Sequence, residues 1–137
     1  MSGAVTPAAV GALLAGGRAG EALALAREAV RERPRDPGWL HLLAVALNTR
    51  GAIQIERGDL AAAENSLREA LKIRGDYAEA RFNLALALRR RGELEAAETE
   101  LDRILGSPYP LDAARLERAT LHIERGDARE ADRKSVV

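Results

Sequence analysis

The chain contains no cysteine. This excludes disulfide staples and thiolate metal centres and accords with a reducing compartment. Rings are nearly absent as well: one Phe, one Trp and two Tyr, 3% of 137 residues. A core built on bulky aromatics is therefore excluded, and the 47% hydrophobic content must pack as alanine and leucine on closely approaching elements. An excess of one charge is also missing. With 21 Lys+Arg against 21 Asp+Glu, no net field draws nucleic acid or an acidic membrane surface. No stretch of 18 apolar residues is present to cross a bilayer. The apolar segment Ala8 to Ala15 has no basic residue before it, so Thr6-Pro7 reads as a helix cap with proline in the first turn and not as part of a secretory leader. A cytoplasmic protein is expected.

The chemical inventory is equally thin. His41 and His122 are far apart and neither has a second histidine or a cysteine at ligand spacing. Ser66 and Ser107 lack the turn that exposes a nucleophile. Glu93, Glu95, Glu98 and Glu100 crowd one segment and read as a solvated face. No glycine-rich loop follows a strand. No catalytic residue, cofactor or metal is expected.

What is there is a period. Gly17, Gly51, Gly58, Gly92 and Gly126 are separated by 34, 7, 34 and 34 residues, and Ile55-Glu56-Arg57-Gly58-Asp59 returns as Ile123-Glu124-Arg125-Gly126-Asp127. Five residues after four of these glycines stands Ala22, Ala63, Ala97 or Ala131, where a second helix must approach the first. Leu60, Ala63, Leu67, Ala70 and Leu71 form an apolar stripe at helical spacing, and Leu94, Ala97, Leu101, Ile104 and Leu105 repeat it 34 residues on. A fixed period of this length signals a stack of helix hairpins.

On these residues the chain resembles the tetratricopeptide repeat family. Its eighth-position small residues would be Val10, Ala44, Gly51, Ala85 and Ala119, its twentieth the four alanines above, with Pro34 closing the first unit. The resemblance implies an all-α, right-handed superhelical array of antiparallel hairpins. Arg81 and Arg115 at fourth positions, and Gln54 and His122 at eleventh positions, depart from the family's large apolar residues and imply looser packing there.

Gly51 breaks the rhythm, because Glu56 and no second-helix stripe follows it. Two first helices are therefore expected to be fused into one, about 37 to 57, with Gly51 tolerated inside at about 1 kcal/mol relative to alanine. The layout is eight helices: about 7 to 16, 19 to 32, 37 to 57, 60 to 73, 77 to 91, 94 to 105, 111 to 124 and 127 to 134. Asp36 and Asp76 are expected N-caps. One array over 1–131 is expected, in units of about 4–36, 37–77, 78–111 and a truncated 112–131. The last six residues, Asp132 to Val137, match what a common DNA-sequencing adapter encodes and are expected to be a non-native tail at 132–137.

In the family the first helices line a concave groove. Carried over, the resemblance implies groove residues His41, Val45, Asn48, Thr49, Ala52, Phe82, Asn83, Leu86, Arg89, Arg90, Leu116 and Thr120. Phe82 either anchors a peptide side chain or packs beneath the adjoining helix. Arg89 and Arg90 either fork onto a partner carboxylate or phosphate, or form a solvated helix end beside Glu93 and Glu95. The lysine and asparagine clamp of the chaperone-binding subset is absent: Asn83 matches one of its positions, but Asn48 and Ala52 stand where lysine and asparagine belong, and Ala113 and Glu117 where basic residues belong. The expected function is a non-catalytic interaction module or scaffold for a protein or peptide partner, with self-association through the array ends as a further option. The alternative is the N-terminal repeat region of a larger bacterial enzyme, such as a sulfotransferase or glycosyltransferase, similar in its Leu40-His41-Leu42-Leu43 opening.

Overall fold

The computed structural model describes residues 5–108 and 110–135, apart from the side chains of Ala131 and Ser135. Seven α-helices run through them: α1 (Pro7–Ala15), α2 (Ala19–Glu32), α3 (Pro37–Glu56), α4 (Leu60–Ile73), α5 (Ala78–Arg90), α6 (Leu94–Leu105) and α7 (Asp112–Ser135). Among the described residues there is no strand. Two starts follow the sequence closely. Thr6 Oγ1 accepts from the Ala9 amide at 3.2 Å, and Asp36 Oδ1 accepts from the amides of Gly38 and Trp39 at 2.9 and 3.3 Å. In both, proline takes the first helical position, where its missing N–H costs nothing. Asp76 is not a cap, contrary to expectation. Tyr77 holds that place, and the Asp76 carboxylate turns to Arg74 instead, at 3.5 Å.

Each helix packs on its neighbours in the chain, and α3 additionally touches α1 and α5. Odd-numbered helices thus form one layer and even-numbered helices the other. Alanine at the crossings makes this close layering workable: Ala22, Ala44, Ala63, Ala85 and Ala97 are all 1% exposed or less. Between them Leu47, Leu67, Leu84, Leu88 and Leu101 are fully buried. Trp39 joins this core and is itself buried.

The fused helix is present as α3, 20 residues or roughly 30 Å at 1.5 Å per residue. Gly51 within it is more than tolerated. A Cβ at that position would lie 2.7 Å from Cγ and Cδ2 of Leu67, so the absent side chain is the seat into which α4 drops its leucine.

The eighth helix does not form separately. Gly17, Gly58 and Gly92 take φ of 77°, 82° and 81°, the left-handed turn that glycine alone adopts freely. Gly126 does not, and α7 runs straight through it for 24 residues. The same pentapeptide, Ile-Glu-Arg-Gly-Asp, passes from helix into turn at 55–59 and is helical throughout at 123–127. Local sequence is identical, so tertiary burial decides. After Gly58 the Leu60, Ala63 and Leu67 stripe is buried against α3 when the chain folds back. After Gly126 come Ala128, Arg129 and Glu130, with no large apolar residue to bury in exchange for breaking the helix. Ala119 records the consequence: unlike Ala44 and Ala85 at the equivalent place, it is exposed. Residues 132–135 form the last turn of α7, and 136–137 lie outside the described residues.

Candidate functional site

The face of α3 and α5 carries most of the residues that the sequence singles out. Asn83 Nδ2 donates to Asn48 Oδ1 at 2.9 Å, and Asn48 Nδ2 donates to Tyr77 Oη at 3.4 Å. Arg74 stacks over the Tyr77 ring, 4.7 Å from its centroid, and its Nη1 donates to His41 Nδ1 at 2.7 Å. His41, Asn48 and Asn83 are thus ends and middle of one polar chain whose central members, Arg74 and Tyr77, sequence reasoning missed. The scarcity of rings was the available signal, since one of two tyrosines stands at the start of a first helix. Burial pushes the Tyr77 phenol up from its usual range, with the Asn48 hydrogen bond opposing it.

Around the amide pair the surface is apolar and half-buried: Val45, Ala52, Phe82 and Leu86 all have intermediate exposure. Among the described residues, Asn83 Oδ1 accepts no hydrogen bond. Thr49 and Thr120 do not present their hydroxyls outward. Each back-bonds to its own helix, Thr49 Oγ1 to the Val45 carbonyl at 2.9 Å and Thr120 Oγ1 to the Leu116 carbonyl at 3.1 Å. Leu116 lies apart on α7, 73% exposed.

The arginine run points three ways. Arg89 reaches α7, with Glu117 on Nη1 and Glu124 on Nε at 3.0 Å. Its guanidinium is held above its already high range, first by the Glu117 hydrogen bond. Arg90 donates to the Ile55 carbonyl of α3 at 3.2 Å, and Arg91 pairs with Glu64 of α4. Glu93 and Glu95 are not their partners. These cations bind successive units together.

The unusual polar residues also find partners between helices. Arg81 and Arg103 clamp the buried Glu100 at 2.7 and 3.0 Å, and Arg81 caps the Gly75 carbonyl at 2.8 Å. The Gln54 amide lies 2.8 Å from the Ser66 hydroxyl. His122 meets Glu98 at 3.1 Å. Departures from apolar packing are therefore compensated by hydrogen bonds, which is why the core closes despite them. A cleft of about 230 Å³ between α4, α5 and α6 is lined by Arg68, Lys72, Arg81 and Arg103, but Glu64 and Glu100 already neutralise three of those cations.

Among the described residues no group of three or more His, Asp and Glu converges as a metal site, and no helix is long and apolar enough to cross a membrane. In comparison with known proteins, residues 54–107 match the family model for the tetratricopeptide repeat, a helical fold of the protein-interaction kind. The matched segment runs from the last three residues of α3 through α6. No curated protein matches the chain.

Proposed function

With a tetratricopeptide repeat over residues 54–107, we propose that this chain is a non-catalytic interaction module that holds an extended segment of a partner protein against α3 and α5. The supporting observation is the Asn48–Asn83 pair, 2.9 Å apart on successive first helices and set among half-buried apolar side chains. An extended peptide needs two things from a surface. Its backbone needs hydrogen-bonding groups, which an amide supplies as both donor and acceptor, and its side chains need apolar contact, which Phe82 and Leu86 supply. Asn83 Oδ1 is available to accept a peptide N–H. In this reading Arg89 and Arg90 serve as staples that hold the receiving helices in register.

Affinity capture with the intact chain provides the partner, and titration calorimetry then tests the surface. Phe82→Ala and Asn83→Ala are each expected to weaken binding by about 1 to 3 kcal/mol, with unchanged helix content by circular dichroism. The outer-face control Glu28→Ala, an exposed residue of α2, is expected to bind as wild type. Wild-type binding by both groove variants, with loss in outer-face variants, would move the site to α2, α4 and α6.

A further inference from the structure

The first helices of this chain share a register, and their contacts show which face each turns to its predecessor. On α5 that face is marked by Asn83, which bonds Asn48 of α3. On α7 it is marked by Glu117, which binds Arg89 of α5. One helical turn to either side of these lie Ala80 and Ala87 on α5, and Ala114 and Leu121 on α7. All four are 0% exposed. The equivalent residues on α3, Trp39 and Ala46, are 4% and 0% exposed. In the first unit they are Val5, which lies just before α1, and Ala12 of α1, 34 residues before Trp39 and Ala46. Val5 is 37% exposed, and Ala8 and Ala12 beside it are exposed too.

The opposite face gives the complementary result. On α3 the residues turned toward the successor are Asn48 and Ile55, and Ile55 is 5% exposed beneath α5. Two periods on, at 68 residues, the same register holds Leu116 and Ile123 of α7, which are 73% and 66% exposed. One chain therefore carries both halves of its own inter-unit contact, each uncovered. Neither half is charged, although 31% of the chain is. The segment Pro7–Ala15 has no polar side chain at all, and a helix apolar all round belongs buried on every side.

We propose that two copies of this chain associate head to tail, Val5 together with the Ala8 and Ala12 face of α1 in one copy seating on Leu116, Thr120 and Ile123 of α7 in the next. The contact continues the packing that α3 already makes with α5. Because the two faces differ, it is heterologous and does not close on itself, so growth runs past the dimer.

Sedimentation velocity on the intact chain over roughly 10 µM to 1 mM is expected to give a weight-average mass that climbs beyond twice the 14.7 kDa chain without a plateau. Ala12→Arg and Ile123→Arg each place a charge on one exposed face, and circular dichroism checks that each still folds. Either variant alone is expected to stay at one chain mass. Mixed in equal amounts they are expected to form a dimer and stop, because each keeps the face that the other has lost. A wild-type chain that remains monomeric at the highest concentration overturns the proposal. So does continued association of either single variant, which would mean a like-with-like contact of α7 or of α1, and so does failure of the mixture to pair.

Discussion

Replacing Gly51 with alanine separates a helix-propensity effect from a packing effect, because they have opposite signs at this position. In an open helix interior the change is stabilising by about 0.4 to 1 kcal/mol, through reduced freedom of the unfolded chain. Here the new methyl would stand 2.7 Å from Cγ and Cδ2 of Leu67 and 3.3 Å from Cδ1. All three are parts of one fully buried side chain, and overpacking of this kind costs about 1 to 3 kcal/mol. The net expectation is a loss of roughly 0.5 to 2 kcal/mol. A double-mutant cycle in urea isolates the contact. Leu67→Ala alone should cost about 2 to 5 kcal/mol. In that background Gly51→Ala should turn stabilising by up to about 1 kcal/mol, because the obstructing leucine is gone. The reasoning fails if Gly51→Ala raises the urea midpoint of the otherwise wild-type chain, or if its effect is the same in both backgrounds.

Two further substitutions test the backbone. Gly58→Ala should lower the thermal midpoint, by about 1 to 2 kcal/mol of strain at φ of 82°. Gly126→Ala, inside a helix with nothing within 4 Å of the added Cβ, should raise helix content and stabilise by about 0.4 to 1 kcal/mol. Equal effects in the two copies of one pentapeptide would contradict the turn and helix assigned to them. Ile53→Pro should cost about 3 kcal/mol or more in chemical denaturation, since α3 is continuous there, and a mild loss would mean a break near Gly51.

The hairpin stack was legible because its signals are local and repeated. Turn glycines at 17, 58 and 92, small residues at the crossings, and the Leu60 to Leu71 stripe each state the same period in different chemistry. The fusion of two first helices was legible by subtraction, from a glycine with no second helix behind it. What Gly51 does there was not, because the need for a missing side chain arises from Leu67, sixteen residues away in sequence. Gly126 shows the limit from the other side: its pentapeptide carries a turn signal, but a turn forms only where the following segment has apolar surface to bury. The polar chain from His41 to Asn83 was half legible. Its amides are 35 residues apart, one more than the period, and fall on successive first helices, whereas Arg74 enters from the α4–α5 connection, which no helical register predicts. The destination of Arg89 was likewise hidden, because its two carboxylates belong to the following first helix.

The seven-residue offset between the two registers of α3 acts as a dislocation in an otherwise even lattice. The register that meets α1 and the register that meets α5 are displaced along one rod by about 10 Å, at 1.5 Å per residue, while the angular error is only about 20°. The stack therefore slips lengthwise with almost no change of aspect. A linear ligand crossing the first helices would meet evenly spaced docking points on either side of α3, and across it a gap widened obliquely by the sideways slip of about 10 Å, at 1.5 Å per residue. The spacing of anchor residues in a true partner should carry that gap, which makes the fault in the lattice a ruler for recognising what binds.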